Sequence, residues 1–133
     1  MRWFMVISIF LLTISCNNDD LDTNTVIGTW EINARLVDPG DGSGAFQPLS
    51  SGKQLVFDEN GTVMISRGTL CDLVNDENAS QTGTYSHESS LVTIICEVFS
   101  ADSSVRYELK DDNLFIYYPC FEACVERYRK IAD

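Results

Sequence analysis

Gly28-Thr29-Trp30-Glu31-Ile32-Asn33-Ala34-Arg35-Leu36 alternates polar and apolar side chains without a break after its glycine. A period of two describes a strand with one buried and one wetted face. On this reading Trp30, Ile32, Ala34 and Leu36 face a core, and Glu31, Asn33 and Arg35 face water. Val105-Arg106-Tyr107-Glu108-Leu109-Lys110 repeats the pattern. Leu55 with Phe57, Val63 with Ile65, and residues 83–86, 91–98, 113–118 and 124–131 supply six more segments rich in the residues that strands favour. Almost no helical periodicity is present.

The connections between these segments differ in length. Asp58-Glu59-Asn60-Gly61 is a tight hairpin, with Asn-Gly supplying the positive φ that such a turn needs. Residues 87–90 and 111–113 are also short and polar. Residues 37–52, 68–82, 100–104 and 119–123 form the longer connections. Successive turns of a meander fall at opposite ends, so one end carries tight turns and the other carries loops. The expected fold is therefore all-β, an eight-stranded antiparallel up-and-down barrel closed on itself, which leaves no exposed edge. A barrel of eight strands holds side chains alone or one small ligand. The inward set, and so the candidate ligand-binding wall, is Phe57, Ile65, Tyr85, Ile94, Tyr107, Ile116 and Tyr118.

The chain has 133 residues, the length of one domain. Its formal charge of −11 argues against a grip on nucleic acid or on anionic head groups. Five cysteines are present. Cys16 closes an apolar leader, and Cys71, Cys96, Cys120 and Cys124 remain as an even set. In an exported protein such a set suggests disulfides. Zinc would need closely spaced cysteine pairs or histidine partners, and the only histidine is His87. All four body cysteines fall at the loop end of the expected barrel. Cys120 and Cys124 can close a small ring on their own hairpin, which leaves Cys71 to pair with Cys96.

Residues 1–15 carry Arg2 followed by an apolar run too short to span a bilayer permanently, the form of a signal peptide. Leu12-Thr13-Ile14-Ser15-Cys16 resembles a bacterial lipobox, with its leucine one place earlier than usual. The resemblance implies cleavage before Cys16 and lipidation of its sulfur. Asn17-Asn18-Asp19-Asp20-Leu21-Asp22 then resembles the acidic export signal of Bacteroidetes surface lipoproteins, and residues 16–25 also read as a solvated tether. The expected location is the outer membrane, on the cell surface rather than the periplasmic side.

Residues 26–133 resemble the lipocalin-like domains of Bacteroidetes lipoproteins. The likeness rests on Gly28-Thr29-Trp30 opening the first strand, then residues 55–63, Gly83-Thr84-Tyr85, a Tyr-x-Leu at Tyr107, and Asn113-Leu114-Phe115-Ile116, in that order. It implies an eight-stranded barrel in which Trp30 plugs the closed end beneath an arginine of the last strand, Arg127 or Arg129. The long helix that usually follows a lipocalin barrel is not expected here.

No set of catalytic residues stands out, and neither an enzyme nor a cofactor is expected. His87 lies in the polar turn Ser86-His87-Glu88-Ser89, not in an oriented triad. Asp38-Pro39-Gly40-Asp41-Gly42-Ser43-Gly44 reads as a flexible loop, with calcium as the alternative. Phe115, Tyr117 and Phe121 form either an exposed aromatic patch or ordinary packing on the barrel exterior. Two functions remain. The first is a membrane-anchored, monomeric binding lipoprotein that holds a small apolar or amphipathic ligand in the barrel. The second is an interaction or inhibitor module that presents disulfide-pinned loops to a basic partner protein.

Overall fold

A computed structural model describes residues 20–97 and 101–133. The leader and Cys16 lie outside them. The body is a closed antiparallel barrel of eight staves. In chain order its strands are β1 (Gly28–Val37), β2 (Gln47–Pro48), β3 (Gln54–Phe57), β4 (Thr62–Ser66), β5 (Ser80–Ser86), β6 (Leu91–Cys96), β7 (Ala101–Lys110), β8 (Asn113–Tyr117) and β9 (Cys124–Ala132). β1 pairs with both β2 and β3, each strand from β3 on pairs with the next along the chain, and β9 returns to β1 to close the ring.

Nine strands make eight staves because β2 and β3 share one edge of β1. Ala34 pairs with Pro48 and Arg35 with Gln47, while Gly28 to Glu31 pair with Phe57 to Gln54. Between these two patches Leu49 donates its N–H to the Asn33 carbonyl at 3.0 Å, and Ile32 donates to the Lys53 carbonyl at 3.0 Å. The segment read as one long loop over 37–52 therefore returns to the barrel at Gln47. Residues 101–104, also read as loop, belong to β7, with Cys96 opposite Ala101 and Ile94 opposite Ser103. Its Asp102-Ser103-Ser104 run has no apolar alternation to betray a strand, and the ladder to β6 supplies the order instead.

The expected division of the two ends holds. Asp58 to Gly61, the turn at His87 and the turn at Asp111-Asp112 cap one end, and the cysteine-bearing loops cap the other. Gly28 shows why the first strand must open with glycine at the tight-turn end. Its φ is +118°, and a Cβ there would lie 2.5 Å from the Ala132 carbonyl oxygen and 2.7 Å from the Lys130 Cε. Trp30 follows, fully buried, donating its indole N–H to the Val26 carbonyl at 2.7 Å. The cation above its ring is the Lys130 ammonium, 5.6 Å from the ring centroid. This corrects the expectation of Arg127 or Arg129. Those two alternate to the outer face, where Arg127 bonds Asn33 and Arg129 bonds Glu31. Lys130 also pairs with Asp133 at 2.6 Å and donates to the Asp22 carbonyl, which fastens the entering chain to the end of the last strand.

Candidate functional site

Both expected disulfides are present, Cys71 to Cys96 and Cys120 to Cys124. They act at the loop end. The first ties the β4–β5 loop to the end of β6, where the β5–β6 ladder has already stopped at Thr84 and Thr93. Gln81 bridges the rest of that seam, donating to the Ile95 carbonyl at 3.0 Å and accepting from the Leu70 N–H at 3.0 Å. Leu70 is thereby held in the core at 1% exposure. Closing a loop of sequence separation 25 is worth about 3 kcal/mol on a chain-entropy estimate, and a five-residue ring less. In urea, Cys71→Ala/Cys96→Ala should therefore lower the unfolding midpoint more than Cys120→Ala/Cys124→Ala.

The seven expected wall residues all reach the interior. Phe57, Ile65, Ile94, Tyr107 and Ile116 are buried, and Tyr85 and Tyr118 pack against them at partial burial. They pack on one another. Phe57 makes an edge contact with Tyr85 at 5.0 Å and a tilted one with Tyr107 at 6.0 Å. Their hydroxyls are used as well. Tyr85 donates to the Asp58 carbonyl at 2.5 Å and Tyr107 to the Ser86 carbonyl at 3.2 Å.

Toward the loop end the interior turns from apolar to charged. Lys53 and Glu126 are both fully buried. Glu126 Oε2 accepts from Lys53 Nζ at 2.9 Å, from the Tyr118 hydroxyl at 2.6 Å and from the Tyr128 hydroxyl at 2.6 Å. Glu126 Oε1 accepts from Arg35 Nη2 at 2.6 Å and Nε at 3.2 Å. Arg35 reaches onward to Asn75 of the β4–β5 loop at 2.9 Å. Burial pushes the Glu126 carboxyl up, but Lys53 and the two tyrosines outweigh it and hold it below its ordinary value. Burial also pulls the Lys53 ammonium down, with Glu126 opposing, and burial beside Glu126 pushes the Tyr118 and Tyr128 hydroxyls well up.

Simple alternation did not place Arg35 here. A register shift between Ile32 and Ala34 inserts one extra residue into β1 opposite Arg127. A bulge of this kind reverses the phase of the strand beyond it. Arg35 therefore sits opposite Glu126, and its guanidinium joins the interior cluster. Lys53 was missed because Ser51-Gly52-Lys53 reads as loop. Glu126 was missed too, although β9 carried a signal for it: Cys124, Glu126, Tyr128 and Lys130 share one parity, and an inward Tyr128 brings Glu126 and Lys130 with it.

A low-pH experiment probes the cluster. A carboxyl lowered in the fold contributes stability that is present above its unfolded value and lost as pH falls through its folded value. Thermal midpoints should drop from neutral pH to about pH 3, with Glu126 the buried contributor. In Lys53→Met/Glu126→Leu the same drop should be shallower.

The remaining surface features separate cleanly. His87 is exposed, its ring edge-on to that of Tyr85 at 5.1 Å. Asp38 turns its carboxylate into its own loop, accepting N–H bonds from Gly40 at 2.8 Å, Gly42 at 3.1 Å and Gly44 at 3.0 Å. These bonds pull the Asp38 carboxyl down and organise the loop. Phe115 meets Phe46 edge-on at 5.8 Å, and Tyr117 lies under Arg106 at 3.8 Å, so both belong to exterior packing. Of the three, Phe121 stands free, fully exposed on the tip that the Cys120–Cys124 bridge closes. No protein-family model and no curated protein matches the chain.

Proposed function

We propose that this chain is a membrane-anchored, lipocalin-like lipoprotein whose loop end is an interaction module for a basic partner protein. The observation that carries the reading is Phe121, a large apolar side chain fully exposed on a covalently closed tip. An aromatic anchor held on a short ring loses little conformational freedom on binding. The loops around it are acidic. Asp38 and Asp41 lie on one, Asp72, Asp76 and Glu77 on the next, and Glu122 beside Phe121 itself. That charge suits a basic surface and would speed encounter with it.

Orientation supports the same reading. The chain enters the barrel at the tight-turn end, where Asp22 and Thr23 bond Asp133 and Asp112. A lipid on Cys16 would hold that end toward the outer membrane and present the loops outward, as a monomer on the cell surface. Two disulfides accord with an oxidising compartment. A small ligand in the barrel is the less favoured reading, because the candidate wall residues fill the interior and the charged cluster occupies its loop-side half.

The anchor and the surface are tested separately. Cys16→Ala should abolish acylation and release the protein from membranes; retention of both acyl mass and membrane association would refute the lipoprotein. For the surface, wild type and Phe121→Asp are compared as bait in their own host's envelope extract. Wild type should capture one basic protein, lost with added salt and absent with the variant at an unchanged thermal midpoint. Equal capture by both baits would overturn the interaction reading.

A further inference from the structure

We propose that the cleft beneath the β1–β2 loop is a binding site for a small monocarboxylate with an apolar body, its carboxylate on Arg35. No residue of the Phe121 tip lines this site, and it does not depend on the partner reading. The first argument is charge. Lys53 and Arg35 share a single carboxylate, Glu126, and the two tyrosines that complete its shell are neutral. The cluster therefore carries one excess positive charge. Asp72 acts on Lys53 from outside, but it is exposed and bonds neither cation. A charge removed from water without a partner is costly, so an anion that reaches it gains more than it would at the open surface.

The second argument is geometry. Arg35 spends Nε on Glu126 and Nη2 on Glu126 and Asn75. Nη1 has no acceptor among the described residues, and no buried side-chain nitrogen or oxygen there lacks one, so Nη1 opens to solvent. Its side chain is 18% exposed. The cleft that Arg35 lines has a volume of about 430 Å³ and is otherwise walled chiefly by Val37, Pro39, Ala45, Pro48 and Leu49.

The third argument concerns what the walls exclude. No carboxylate lines the cleft, and Asp38, at the start of the loop, has both oxygens committed to glycine N–H groups. One guanidinium nitrogen suits one carboxylate, and apolar walls suit a hydrocarbon body better than a second charge. At roughly 30 Å³ per non-hydrogen atom the cleft takes a molecule of up to about fourteen such atoms.

Octanoate, with octanol and octylamine as charge controls, tests the site on the full-length protein. Binding is read from the thermal midpoint and from the Arg35 Nε–H resonance. Octanoate should raise the midpoint saturably and shift that resonance, with octanol and octylamine at least about tenfold weaker. Ala45→Phe fills the cleft from an exposed loop position and leaves the charged cluster alone, so it should weaken octanoate about tenfold or more. Arg35→Gln should do the same, and if that variant fails to fold, Ala45→Phe decides alone. The site is refuted if octanol binds as well as octanoate, if Ala45→Phe binds octanoate normally, or if folded wild type shows no saturable binding.

Discussion

Glu126→Ala should unfold the protein or lower its stability by about 3–5 kcal/mol, the range for breaking a buried ion pair by removing one partner. Lys53 then remains at 0% exposure with only the Tyr118 hydroxyl, 3.1 Å away, as acceptor. Arg35 loses both of its bonds into the barrel, and Tyr128 loses its acceptor in the core. A domain of this size has only about 5–15 kcal/mol in total. Replacing both partners by apolar residues removes the charges together, so Lys53→Met/Glu126→Leu should cost clearly less than Glu126→Ala alone. Chemical denaturation of the three proteins checks the order. A Glu126→Ala variant as stable as wild type would mean that Glu126 is not the ionised centre of the cluster.

Trp30→Ala carries the second large effect. The indole is fully buried at the closed end between Val26 and Lys130, and truncation of a core aromatic costs about 3–5 kcal/mol. Phe115→Ala, half-buried against Phe46 on the outside, should cost much less. Trp30 is the sole tryptophan after residue 15, so in a protein of residues 16–133 its fluorescence reports on this end alone. Native emission should be blue-shifted and resistant to acrylamide. Emission like that of free tryptophan in water would contradict a closed end here.

The barrel was legible because its strands announce themselves. Trp30 and Ile32, Val105 and Tyr107, and Leu114 and Ile116 alternate with polar neighbours, and Asn60-Gly61 marks a tight turn. Loop placement then put the four body cysteines at one end, and the pairing followed. The charged interior was less legible, for two physical reasons. A one-residue bulge in β1 reverses which side chains face in, and composition carries no trace of it. Lys53 lies just before β3, directly after Ser50-Ser51-Gly52, and that run makes it look like loop. Lys130 in place of an arginine above Trp30 has the same origin as Glu126, since both follow from the parity of Tyr128 in β9.

The loop end as the contact surface is tested most directly by site-specific photocrosslinking in living cells. A photoreactive residue at position 121 is compared with one at position 59, in the tight turn at the opposite end. Position 121 should give a discrete adduct with one basic protein, and position 59 none. An adduct formed from position 59 and not from position 121 would contradict the loop end as the contact surface.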